Sequence, residues 1–288
     1  MLKIIIFIFF LLPISNVLYC QGVLEPHSYL KEGVIEHHGA TATVKADCAR
    51  PLQQAITAVR EEYGWAVDYE DPPYQSKYDL TDMTNPKYRA ANPNAPVVLG
   101  PSGGAFQSTY PESPNIWSSP ALEREVLEKI VSDYNRSGNP GNFVVRSLPN
   151  GTFDIVGNSI RNDKGVKVPV NPILDTPILI PRSARSLDGA ITAILQALST
   201  KTGFDTGIGL GPTNLLMSPA ATTTVGGASA PARDLLKEVT ARMKQYVVLF
   251  LYEPDQRQYL LGLLPVVRAQ YDTFGQKRLV PVGHLIPH

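Results

Sequence analysis

The sequence predicts an α+β fold of two related modules, each with two helices packed on small mixed sheets. Three observations lead there. First, Ala49–Val59 (Ala-Arg-Pro-Leu-Gln-Gln-Ala-Ile-Thr-Ala-Val) recurs from Ala184 to Ile194 with seven of eleven positions identical. Both copies run into a glycine–aromatic pair, Gly64-Trp65 and Gly203-Phe204. Second, helical and strand periodicities alternate in the same order in both halves. Third, 25 prolines and 22 glycines in 288 residues call for many turns, which suits short strands better than a helical bundle.

The elements of the first module, residues 41–169, follow in order. Residues 23–40 read as a loose N-terminal lead. Thr41–Lys45 alternates in the manner of a half-buried strand. Pro51 suits the first turn of a helix, where its missing N–H costs nothing. Leu52, Ala55, Ile56 and Val59 form one apolar stripe, and Gly64 stops the helix. Trp65–Tyr69 reads as a strand ended by Asp71-Pro72-Pro73. Residues 74–118 form a long insertion rich in Pro, Asn, Ser and Tyr, with one strand pair expected around Val97–Leu99 and Phe106. A second helix opens at Pro120 behind Ser118 or Ser119, carries Leu122, Val126, Leu127 and Ile130, and ends at Gly138. Phe143–Val145 and Phe153–Val156 flank Asn150-Gly151 as a hairpin.

The second module, residues 170–268, repeats the plan. Pro177–Pro181 is the expected leading strand, and Ser186 caps the next helix. Its stripe is Leu187, Ala190, Ile191, Ile194, Leu195 and Leu198. This helix outlasts its counterpart by four residues, about one turn, so its apolar face stays in phase. Strands are expected from Phe204 and over Ala221–Val225, with Gly226-Gly227 as a stop. Pro231 opens a helix bearing Leu235, Leu236, Val239 and Met243. Tyr246–Leu251 and Gln258–Leu263 form the closing hairpin, and residues 269–288 are read as a tail. Such a pseudo-repeat fits a shared central sheet or a face-to-face pair.

The second module resembles the STN domain, the short N-terminal domain of secretins and TonB-dependent receptors. The likeness rests on Leu187…Ala190-Ile191, Thr202-Gly203-Phe204, Ala232…Leu235-Leu236 and the hairpin Tyr246–Leu263. The first module is similar through Leu52…Ala55-Ile56 and Tyr63-Gly64-Trp65, interrupted by the insertion. The arrangement also resembles uncharacterised exported bacterial proteins. The STN resemblance implies a non-catalytic role in protein–protein contact in the periplasm, in signalling or secretion assembly. No secretin ring domain or β-barrel follows within the sequence, so the expectation is a free-standing partner protein.

Lys+Arg and Asp+Glu are both 26, and no run of like charges occurs. This balance argues against nucleic acid, which needs a basic surface or stripe. Residues 1–22 read as a signal peptide: Lys3, then an apolar run from Ile4 to Leu12 ending at Pro13, too short to span a bilayer comfortably. The expected location is periplasmic or secreted. Val17–Cys20 is a poor lipobox because Tyr19 is bulky, and a membrane partner is expected only if Cys20 is lipidated. If Cys20 leaves with the signal, Cys48 is a lone, half-buried thiol.

Catalytic motifs fail one by one. Gly100-Pro101-Ser102-Gly103-Gly104 matches G-x-S-x-G, but the elbow needs a helix directly after it and Pro111 and Pro114 forbid one. Adjacent His37 and His38 beside Glu36 point apart on a strand and make a poor metal chelate. Gly207–Gly211 lacks the spacing and the following helix of a nucleotide loop. Glu61-Glu62 read as a solvated helix face. No catalytic residue, cofactor or metal is therefore expected. What remains is the aromatic–acidic group Trp65, Tyr69, Glu70, Asp71 and Tyr74, read as a contact surface because exposed aromatics with a few charges mark interfaces and sugar sites. The expected function is a non-enzymatic binding or assembly protein of the bacterial envelope whose partner is another envelope or secreted protein. The alternatives are carbohydrate or small-ligand binding in a cleft between the modules, and a serine hydrolase using Ser102.

Overall fold

The computed structural model describes residues 32–148, 151–212, 216, 222–243 and 245–282. The expected signal peptide, Cys20 and the Asn150 turn position lie outside these residues. The first half contains β1 (Val34–His37), β2 (Thr41–Asp47), α1 (Pro51–Tyr63), β3 (Val67–Glu70), β4 (Leu80–Asp82), α2 (Pro86–Ala91), β5 (Leu99–Pro101), β6 (Ala105–Pro111), α3 (Pro120–Arg136), β7 (Asn142–Ser147), β8 (Phe153–Arg161) and β9 (Lys167–Pro169). A 3-10 turn (Ile173–Asp175) and β10 (Pro177–Ile178) lead into β11 (Ser183–Ser186), α4 (Leu187–Thr202), β12 (Asp205–Leu210), β13 (Thr222–Val225), β14 (Ala230–Pro231), α5 (Ala232–Met243), β15 (Tyr246–Glu253) and β16 (Gln258–Pro265). A last hairpin pairs β17 (Val267–Tyr271) with β18 (Lys277–Pro281).

The fold is mixed α+β, as the periodicities predict. The two copies of the repeated segment build matching helices. Pro51 is the first residue of α1, and Leu52, Ala55, Ile56 and Val59 are all buried. In α4 the Ser186 hydroxyl accepts from the Gly189 N–H at 3.1 Å, which satisfies one of the orphan donors of the first turn. Gly64 and Gly203 close the two helices at φ of 77° and 75°, the left-handed region that a residue with a Cβ enters at a cost.

Strand pairings also match between the halves. β2 pairs antiparallel with β6, and β11 with β13. β3 lies parallel to β8, and β12 to β16. β7–β8 and β15–β16 are antiparallel hairpins. The main sheet has the order β12-β16-β15-β3-β8-β7, with β9 beside β8. Its halves join where β15 pairs in parallel with β3 through Leu249–Tyr69 and Phe250–Glu70. The two halves of the chain therefore share one sheet. Since β12 runs opposite to β15, and β15 runs with β3, the two halves are related by a half-turn about an axis across the strands. That half-turn puts their helices on opposite faces. Strand alternation in β15 agrees: Leu249 and Leu251 enter the core beneath α1 and α3, while Val248, Phe250 and Tyr252 enter the core beneath α4 and α5.

Several boundaries differ from expectation for local reasons. The N-terminal lead is not loose throughout, because Val34–His37 adds an edge strand to β2. Val97–Leu99 and Phe106 do not pair together; β5 pairs with β4, and β6 with β2. The strand leading into α4 is β11, not Pro177–Pro181, of which only Pro177–Ile178 pairs, with β14. Residues 269–282 are no free tail, since β17 packs on α1. Residues 283–288 lie outside the described residues.

Candidate functional site

Trp65, Tyr69, Glu70, Asp71 and Tyr74, expected from their composition to form a contact surface, are all 1–3% exposed. Their place in the sheet corrects that expectation. β3 lies at the sheet's centre, so both of its faces are covered. Tyr69 enters the first core and stacks on Phe143 at 5.5 Å, and Trp65 packs against Tyr63 at 4.8 Å. Asp71 is the hub of a closed polar cluster. It accepts from Arg50 Nε at 2.8 Å, Tyr69 Oη at 2.9 Å, Tyr74 Oη at 3.4 Å and the Tyr252 N–H at 3.2 Å. Arg50 also donates to the Tyr252 carbonyl at 2.5 Å and to Glu253 at 3.1 Å, so this cluster clamps the two halves together. Burial pushes the phenols of Tyr69 and Tyr74 well up, and the negative charge of Asp71 adds to it.

On the opposite face, β3 turns Asp68 and Glu70 toward α5. Arg233 pairs with Glu70, with Asp154 at 3.0 Å and with Asp175 at 2.9 Å. Lys237, one helical turn on, pairs with Asp68. Burial pushes Asp68 up to about 6 against the pull of Lys237, and it raises Glu70 against the pull of Arg233. In sequence, Val67-Asp-Tyr-Glu70 alternates apolar or aromatic with acidic residues. The available sign of burial was the pair of cations at i and i+4 on a distant helix, Arg233 and Lys237. A shallow pocket of about 250 Å³ opens at this joint, lined by Asp68, Lys237 and Gln245 among others.

A larger pocket, of about 400 Å³, lies between the end of α1, the turn after β6 and strand β17. His37, at the end of β1, places Nδ1 2.9 Å from Glu112 and Nε2 3.6 Å from Glu62. Tyr63 donates to Glu112 at 2.8 Å, and Tyr271 donates to Glu62 at 2.7 Å. Lys277 lies 3.8 Å from Glu62. Burial, then the bond to Glu62, raises the Tyr271 phenol. Trp117 is 51% exposed with the Arg268 guanidinium 5.0 Å from its ring centroid. The expectation that Glu61-Glu62 form a solvated helix face is corrected here. The Glu62 side chain is only 9% exposed and engaged, and burial raises the Glu61 carboxyl. The tertiary approach of β17 brings this pocket together, which no local spacing announces.

Ser102 donates to the Tyr78 carbonyl at 3.4 Å, and strand β6 follows the motif where a nucleophile elbow needs a helix. Gly103 is explained by crowding: a Cβ there would sit 2.4 Å from the Ala49 carbonyl oxygen. His38 turns to Glu36 at 3.7 Å while His37 turns away to Glu112. Gly207 and Gly209 belong to β12. Cys48 is fully buried and disulfide-bonded, which corrects its reading as a lone, half-buried thiol; Cys20, the chain's other cysteine, lies outside the described residues. Among the described residues, no helix is long and apolar enough to cross a membrane. Compared with family models, curated proteins and solved structures, the chain matches none.

Proposed function

We propose that this chain is an exported, non-enzymatic binding or assembly protein of the bacterial cell envelope that acts through contact with another protein. The observation that carries this reading is an exposed apolar patch on the last hairpin. Phe274 in its turn is 88% exposed, Tyr271 and Leu279 on its strands are also exposed, and so is Trp117, whose ring lies 5.0 Å from the Arg268 guanidinium. Large apolar side chains left exposed on one hairpin, among charged residues such as Lys277 and Arg278, have the composition of a contact site. The signal-like N-terminus supports export to the periplasm or beyond. The STN-like order of elements supports a contact role without chemistry. In this reading the partner is an envelope or secreted protein, and the buried residues Trp65, Tyr69, Glu70, Asp71 and Tyr74 belong to the scaffold.

Site-specific photo-cross-linking in the producing cells tests this. A benzoylphenylalanine at position 274 should yield one discrete protein adduct. The same probe at Tyr88, exposed but remote in sequence, should not. Equal adducts at both positions, or none at 274 while the protein is exported and folded, would sink the reading.

A further inference from the structure

The pocket beneath β17 holds opposite charges that do not neutralise each other. Among the described residues, no carboxylate lies within 4.0 Å of the Arg268 guanidinium, whose one close partner is the Trp117 ring. An arginine in a half-buried recess ordinarily finds an anion, because its planar fork matches a carboxylate with two parallel hydrogen bonds. On the acidic side, Glu112 is well supplied by His37 and Tyr63. Glu62 is held at one oxygen only. Its Oε2 accepts from Tyr271 and lies 3.8 Å from Lys277 Nζ, whereas Oε1 has His37 Nε2 at 3.6 Å, too far for a hydrogen bond. Pro114, Ile116 and Trp117 give the same pocket an apolar wall.

From this arrangement we propose that the pocket binds a small zwitterion, an amino acid or short peptide with a free ammonium group and a free carboxylate. The carboxylate would take the Arg268 fork. The ammonium would donate to Glu62 Oε1, and an apolar side chain would lie against Pro114 and Trp117. A volume of about 400 Å³ has room for a dipeptide. A neutral sugar could also stack on Trp117, but it would leave the Arg268 guanidinium without an anion. This inference does not depend on the contact role of the hairpin, because it concerns a small molecule and is read without a partner protein.

Isothermal titration of the purified protein with L-alanyl-L-phenylalanine, its N-acetyl form, its C-terminal amide and glucose tests it. The free dipeptide should bind, and each blocked form should bind at least about tenfold more weakly, the loss expected when one charge-assisted contact goes. Arg268→Gln should abolish discrimination against the amide, and Glu62→Gln should abolish discrimination against the N-acetyl form. Circular dichroism melts of each variant confirm that the fold is retained. No binding of the dipeptide at millimolar concentration, equal binding of the blocked forms, or preference for glucose would each overturn the proposal.

Discussion

The molecule carries two groups of aromatic and acidic side chains that are alike in composition and differ in how they are partnered. Around Asp71, every strong polar group meets one from elsewhere in the chain: Arg50, Tyr69, Tyr74 and the backbone of Tyr252. Around Glu62 and Trp117, the pocket is open, and the Arg268 guanidinium has no carboxylate partner among the described residues. A closed polar cluster specifies and holds a fold, since burying any member unpaired is costly. An open one has capacity left for something outside the chain. Composition does not separate these cases, whereas the satisfaction of each polar group does.

The sharpest way to break the comparison is to remove the hub of the closed cluster. Asp71→Ala takes the fully buried carboxylate from Arg50, which keeps Glu253 and the Tyr252 carbonyl, and should cost about 3–5 kcal/mol in urea unfolding, the range for breaking a buried ion pair. A loss under about 1 kcal/mol would mean that the cluster does not lock the halves together. Cavities in the two cores come next. Leu52→Ala in α1 and Leu187→Ala in α4 both truncate buried side chains, and each should cost about 2–5 kcal/mol. Because the halves share one sheet and the Arg50 clamp, each variant should shift a single cooperative transition. Two separable transitions by fluorescence and circular dichroism would show that the joint is weak.

A pH effect at the joint is smaller. Asp68 is pushed up to about 6 in the folded protein by burial, against an ordinary value of 3.8. Between those values the native state keeps a proton that the unfolded state releases, so this group's contribution to stability is full below about pH 4 and declines as pH rises through 6. Melting temperatures of Asp68→Asn should show a flatter slope over pH 4–7 than the parent. An unchanged slope would remove Asp68 as its source. The smallest stability effects belong to the open cluster. Trp117→Ala at an exposed position and Arg268→Gln at a half-buried one with no carboxylate partner among the described residues should each change stability by less than about 0.5 kcal/mol. A loss comparable to that of Asp71→Ala would place them in the scaffold.

The local elements were legible in the chain alone. Leu52, Ala55, Ile56 and Val59, and their copies from Leu187 onward, fall on one helical face whatever surrounds them. Gly64 and Gly203 close both helices because the left-handed turn favours a residue without a Cβ. The long helices and the closing hairpins could be read for the same reason, since periodicity and capping act over a few residues, whereas the strand leading into α4 is Ser183–Ser186 and not the expected Pro177–Pro181. Which faces are covered was settled by the packing of distant segments. Val67-Asp-Tyr-Glu70 alternates as a surface strand would, yet β15 pairs along it and α5 brings Arg233 and Lys237 to its acidic side. The pocket was equally hidden, because His37, Glu62, Glu112 and Arg268 come from distant parts of the chain and meet only when β17 packs on α1. Burial and partnering depend on contacts between segments far apart in sequence, whereas periodicity, caps and turns reach about one turn of a helix or the span of one hairpin.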